Sequence, residues 1–512
     1  MNVTGMYGYQ SSLVTALSSQ RDQLNDLEQQ LATGLKSQTF GGVGPGRSQA
    51  LSFQTQLDQA GGYQDSINLA STRISLLNTS VQRIVDIGSQ MQQTFNTQSY
   101  NLESTGLTDQ QQSASNGLQE ILSIFGSNAG GPYIFGGKST NASPVADMDS
   151  IINGVGSQAG LKQVMSERLQ ADQGTNNMCR LVAAASPPSP ATSTGVSLAE
   201  DSATSPFGMK LSGITSALTG ATVTQPTGSP KSESVDFSTG LPKSGDTVSF
   251  AFAMPDGTSN TIKLTAGTAN DATKGTFAIG ADATTTAANL QSVLTGSIQT
   301  VSTTDLRAAS AVQSGADFFN TFQGAAPQRV APDMSSGTAS FATATSLTGG
   351  TAADTVMWYT GDQTNTNPRK DATAVVDSSL QVNYGARANE PAFAWQVQQL
   401  AVATAFDASN GTATTKAAYT DLTNRIQVNL DSPPTSKKIT TIQSDFASSY
   451  ATATSAKTRH TTEISTYQTM VDSFEQTDQT TVITQLANLQ TQMQASYQAS
   501  SILLKLSLAS YL

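Results

Sequence analysis

Ile67, Ala70, Ile74, Leu77, Val81, Ile84, Gly88, Met91 and Phe95 stand alternately three and four positions apart, without a break. A mean step of 3.5 residues keeps one apolar seam on one side of a helix, which demands a long partner helix rather than a globular core. The spacing therefore predicts an intramolecular coiled coil built on Ile67, Ile74, Leu77, Val81, Ile84, Met91 and Phe95, about 40 Å long at ~1.5 Å per residue. A partner of matching length is present in the same chain. Ile439, Ile442, Phe446, Tyr450 and Ala453, then Ile464, Tyr467, Val471 and Phe474, predict a helix between Pro434 and about Thr477. The single histidine, His460, falls on this face and reads as a packing residue, because one His cannot form a metal cluster.

Both ends of the chain carry further stripes. Leu13, Leu17, Leu24, Leu27, Leu31 and Leu35 are separated by three, four or their sum, which places them on one helix face. Val482, Leu486, Leu489, Met493 and Tyr497 do the same and run on into Leu503, Leu504, Leu506 and Leu508. Apolar ends of this kind need something to dock against. From these stripes Leu13, Leu17, Leu24, Leu27, Leu31, Leu486, Leu489, Met493, Tyr497, Leu504 and Leu508 are the expected assembly interface. Between the first two stripes, the glycines and Pro45 of residues 41–50 break the helix. No strand precedes this segment and no Lys-Ser/Thr pair follows it, so it does not read as a phosphate loop.

The middle differs. From about Ala183 the sequence is rich in Ser, Thr, Ala, Gly and Pro, with SPPSP at 186–190 and QPTGSP at 225–230 reading as exposed linkers or loops. Alternation through Thr247–Phe252, a PDGT turn at 255–258 and alternation back through Ile262 and Leu264 predict a hairpin. A third strand is expected at Thr276–Ile279, then helices through Leu290, Val293 and Leu294 and through Leu306, Ala309, Val312 and Phe318. Residues 233–322 thus form an expected α+β module. Val356, Trp358, Tyr359, Val375, Val376, Leu380, Val382 and Tyr384 mark a second β-rich patch. The fold class expected is mainly α with inserted α+β and β domains, the N- and C-terminal long helices packed as a coiled-coil bundle and the mid-chain domains outermost.

Composition narrows the function. The net charge of -11 disfavours nucleic acid and anionic membrane surfaces as partners. Only 12% of residues are charged, so the polar surface is largely uncharged and can be covered by neighbours at little desolvation cost. Cys179 is the only cysteine, which rules out an intramolecular disulfide. No stretch approaches the ~18 apolar residues of a membrane span, and the first residues do not read as a cleavable leader. Enzyme motifs are not found: no GxSxG, HExxH, CxxC or Walker loop occurs. Asp246, Asp256 and Asp362 sit in turn contexts where an Asx turn is the ordinary explanation. The expectation is a non-enzymatic protein with no catalytic, cofactor-binding or metal-binding residues and no cofactor.

Several segments resemble the flagellin and hook-associated protein 3 family. They are LNDLEQQLATGLKSQTFGGVGPGRSQAL at 24–51, GPYIFGGKST at 131–140, VNYGARANEPAF at 382–393 and LQTQMQASYQASSILLKLSLASYL at 489–512. The resemblance implies an extracellular flagellar subunit, exported without a cleaved signal peptide and assembled as a helical homopolymer of identical subunits. It also implies hook-associated and cap proteins, the flagellar export apparatus and a chaperone as partners, with no membrane insertion. Residues 1–35 plus 478–512 would be the inner terminal coiled-coil domain, 36–182 plus 385–477 a helical-bundle domain, and 183–384 the surface-exposed insertion. Length and the elaborate insertion favour the filament subunit. The YIFGG turn favours the hook-filament junction, and a surface adhesin or binding module is a third reading.

Overall fold

The computed structural model describes residues 3–97, 100–128, 131–139, 141–186 and 193–509, with side chains from residue 11 to 502 and at Lys505 within those ranges. The chain is mainly helical with small inserted sheets. In order the elements are α1 (Val3–Thr33), α2 (Arg47–Asn96), α3 (Asp109–Phe125), α4 (Met148–Asn153), α5 (Leu161–Gln173), β1 (Leu181–Ser186), β2 (Gly195–Glu200), β3 (Lys210–Ser216), β4 (Thr222–Thr227), β5 (Ser232–Asp236), β6 (Thr247–Ala253), β7 (Ser259–Gly267) and β8 (Thr276–Ala278). Next come α6 (Ala283–Thr303), α7 (Asp305–Phe319), β9 (Gln328–Ala331), β10 (Ser346–Gly349), β11 (Thr373–Asp377), β12 (Leu380–Asn383), α8 (Pro391–Ala405), α9 (Ala413–Asp431), α10 (Ile439–Glu475) and α11 (Gln479–Ala509). Two compact units result: Met1–Ser71, Ala374–Val382 and Ala451–Leu512 form the first, and Thr72–Thr373 and Asn383–Tyr450 the second. These boundaries differ from the three-part division expected from the sequence, because two of them fall inside the long helices α2 and α10.

In the first unit α1 lies against α11, and the N-terminal half of α2 runs antiparallel to the C-terminal half of α10. Phe53 stacks on Tyr467 and Phe474 at 6.3 and 6.2 Å between ring centroids, and Tyr63 stacks on His460 at 5.2 Å. Gln64 Nε2 donates to Thr461 Oγ1 at 3.0 Å. His460 is buried: its Nε2 donates to the Val376 carbonyl at 2.8 Å on the short hairpin β11–β12, and Nδ1 lies 2.7 Å from Glu463.

In the second unit the C-terminal part of α2 lies beside the N-terminal part of α10, with Gln443 Nε2 donating to Gln82 Oε1 at 3.0 Å. Every residue of the 67–95 seam is buried. Burial of each large side chain there contributes roughly 1.5–3 kcal/mol. Gly88 sits where a side chain would overlap the Gln396 amide of α8. The start of α3 is fixed by a capping box between Thr108 and Gln111, and the same Gln111 closes the end of α8 by donating to the Ala403 and Phe406 carbonyls at 3.0 and 2.6 Å. One buried polar side chain thus satisfies orphan groups on two helices.

The inserted region contains two four-stranded sheets, β1-β2-β5-β4, all antiparallel, and β3-β6-β7-β8, in which only β7 and β8 run parallel. The expected hairpin is β6–β7, with Phe250 opposite Ile262 and Val248 opposite Leu264. Their inward faces share a core with Leu290, Val293, Leu294 and Ile298 of α6. That core runs from Met178 to Ala309, so the module begins well before residue 233. Two further expectations need correction. Residues 225–227 of the QPTGSP segment belong to strand β4, where Pro226 is tolerated because β4 is an edge strand. Val356, Trp358 and Tyr359 are buried but form no strand; Tyr359 makes a single bridge to Val145. Residues 187–190 of the SPPSP segment lie outside the described residues.

Candidate assembly surface

The terminal helices are held at one end by backbone. Leu35 and Gln476 form an antiparallel bridge in which Thr477 N donates to the Gly34 carbonyl at 2.9 Å and Lys36 N to the Glu475 carbonyl at 2.7 Å. Gly34 has φ +72, a conformation that side-chain-bearing residues rarely adopt, and this lets α1 end in the turn. Lys36 Nζ donates to the Phe474 carbonyl at 2.8 Å, placing a cation on the negative end of α10. Asp478 opens α11 by accepting from Thr480 N at 2.9 Å and Thr481 Oγ1 at 3.0 Å, and these bonds hold its carboxyl below the usual range.

From this hinge the two helices run antiparallel. Gln23, Asp26, Leu27 and Gln30 line one cleft with Gln485, Asn488, Leu489 and Gln492. Leu13, Leu17, Leu24, Leu27 and Leu31 are half-buried, as is Leu486, whereas Val482, Leu489 and Met493 are buried. The side chains of Leu504 and Leu508 lie outside the described residues. Tyr497 is 48% exposed, because the inward stripe of α11 passes through half-buried Ser496 and Ser500. Val14, Ile483 and Ile502 are more than half exposed. A two-helix layer covers only one face of each helix, so these residues stay in solvent. Lys505 is the only charged residue of α11.

Sequence reasoning missed a second constellation, in the second unit. The segments around YIFGG and GARANEP meet: Gly137 N donates to the Ala386 carbonyl at 3.1 Å and Ala388 N to the Phe135 carbonyl at 3.0 Å. Phe125, Phe135 and Phe393 pack together at 5.2–5.8 Å. Beside them Arg387 and Asp371, both fully buried, pair at 2.6 Å, and Arg369 binds Glu390 and lies 4.7 Å over the Phe446 ring. Burial raises the Glu390 carboxyl despite Arg369. Only the charged residues inside an otherwise uncharged stretch could have signalled this network. Asp246, Asp256 and Asp362 all accept from nearby backbone or hydroxyl groups within turns. Among the described residues no group of three His, Cys, Asp or Glu is placed to hold a metal ion, and no helix is long and apolar enough to cross a membrane. No protein-family model, curated protein or solved structure matches the chain.

Proposed function

We propose that the chain is a structural, non-enzymatic subunit that polymerises through α1 and α11, and that the polymer is the filament of a bacterial flagellum. The observation that carries this reading is the terminal helix layer, which leaves Val14 of α1 and Ile483, Tyr497 and Ile502 of the nearly uncharged α11 in solvent. In the proposed polymer α1 and α11 pack as a coiled coil, and neighbouring copies cover this surface. Identical subunits are then the main partners, with hook-associated and cap proteins and the export apparatus and its chaperone as transient ones. The resemblance of the terminal segments to flagellins supplies the flagellar address. A second reading, the hook-filament junction, is supported by the YIFGG turn, whose backbone joins the re-entry segment at Ala386 and Ala388.

The test has two parts. A chain ending at Asp478 is expected to remain soluble and monomeric where the full chain forms sedimentable polymer; equal polymerisation would sink the proposal. In cells, sheared external appendages consisting mainly of this chain indicate the filament, and a few copies per appendage indicate the junction.

A further inference from the structure

Glu233 lies on the inward face of β5, beside Val235 and directly opposite Leu198 of β2. It is 1% exposed, and among the described residues neither carboxyl oxygen has a hydrogen-bond partner. The strand on its other side is interrupted at this position. Thr224 pairs with Ser234 and Thr227 with Ser232, so Gln225 and Pro226 of β4 bulge against the single residue Glu233. Pro226 has no N–H to give, and the Gln225 side chain turns to Ile214 of β3, donating to its carbonyl at 2.6 Å. β4 is also an edge strand, with four of its six residues exposed.

The charges on the surrounding elements are committed elsewhere. Lys231 Nζ points to the Leu211 carbonyl at 3.4 Å, and Glu200 accepts from Leu211 N at 2.9 Å. Asp236 accepts from Thr194 and Ser238, while Lys210 is drawn to Glu200 and Asp201. β4 and α6 carry no charge at all.

We propose that ionisation of Glu233 releases β4 from its sheet, making this edge a flap that is closed in acid and opens as pH rises. A carboxylate formed here has to reach water, and the neighbouring strand that is irregularly paired and mostly exposed is the one expected to yield. Burial alone pushes the carboxyl up to about 8 from an ordinary 4.5. The closed form therefore holds its proton where the open form has lost it. Closure is fully favoured below 4.5, weakens between 4.5 and about 8, and changes no further above that.

Hydrogen exchange of the full chain between pH 5.5 and 9, corrected for intrinsic rates, tests this. Protection at Thr222–Thr227 is expected to fall up to about tenfold per pH unit until pH 8 and then level off. The β6 and β7 amides should hold their protection throughout. Glu233→Gln and Glu233→Leu should each flatten the β4 profile, the second guarding against an unpartnered amide in the first. Equal slopes in parent and variants would overturn the proposal, as would a loss in the parent shared equally by β6 and β7.

Discussion

Arg425 ties the inserted module to the helices of the second unit, and removing it should be costly in a pH-dependent way. Its guanidinium donates from Nε to Asp256 in the β6–β7 turn at 2.8 Å and pairs with Asp305, at the start of α7, at 2.7 Å. The Asp256, Arg425 and Asp305 side chains are 3, 11 and 17% exposed. Stripping one partner from a buried ion pair costs about 3–5 kcal/mol. Local compensation favours the lower end: Asp256 keeps Thr258 N and Oγ1, and Asp305 keeps Asn260 and the first turn of α7. Arg425→Ala is thus expected to cost about 3 kcal/mol at pH 7.

Asp421, one turn before Arg425, sets the pH dependence. Burial and the neighbouring Asp305 push its carboxyl up to about 6 while Arg425 pulls it down. A carboxyl raised above its ordinary 3.8 leaves the fold most stable below that value, and the advantage drains away as pH rises through about 6. Without Arg425 the shift grows, so the deficit should shrink between pH 7 and pH 5. Asp421→Asn in the parent should gain about 1–2 kcal/mol at pH 7, discounted for partial exposure, and nothing near pH 4. The chain's two tryptophans, Trp358 and Trp395, both lie in the second unit, so urea unfolding followed by fluorescence reads it directly. An Arg425→Ala cost below about 1 kcal/mol, or one identical at pH 5 and pH 7, would refute the reasoning.

Gly315→Ala and Gly88→Ala should part company in thermal unfolding. A methyl on Gly315 would overlap Val402 and sit 2.9 Å from Gln398 Cγ on α8. Its overpacking cost of about 1–3 kcal/mol exceeds the ~1 kcal/mol helix-propensity gain. A methyl on Gly88 meets only the amide end of Gln396, whose Nε2 has no hydrogen-bond partner among the described residues, so that variant is expected within about 1 kcal/mol of the parent. Cys179 is fully buried and its thiol is pushed up to about 12 by burial; a thiol reagent at pH 8 should modify it only at the rate at which the second unit unfolds, and fast labelling of the native chain would contradict the burial.

How much of this was legible depends on whether the signal was periodic. The 67–95 seam needs only a count of three and four, and each of its positions is buried. The β6–β7 hairpin needs only alternation and a PDGT turn. Strands β1 to β5 were hidden because Ser, Thr, Ala and Gly interrupt their apolar alternation, and their partners are set by pairings distant in the chain, such as Gly195 with Asp236. Arg387 and Asp371 were hidden for the opposite reason: charged residues are expected at the surface, and only the meeting of two remote segments makes a place where both are buried.

The two misplaced tyrosines show which rule governs these helices. Along α10 the inward positions are Ile442, Phe446, Ser449, Ala453, Ala456 and His460, in unbroken steps of four and three; along α11 they are Val482, Leu486, Leu489, Met493, Ser496 and Ser500. Hydropathy selects Tyr450 and Tyr497, but the count selects the serines beside them, and the structure follows the count. Ser449 repays this with a 2.8 Å hydrogen bond to the Asn383 carbonyl, which a tyrosine at that depth would obstruct. The displaced tyrosines are left 45% and 48% exposed. On α11, Tyr497 adds amphipathic surface to Ile483 and Ile502, and in the proposed polymer that is where a neighbouring copy would dock.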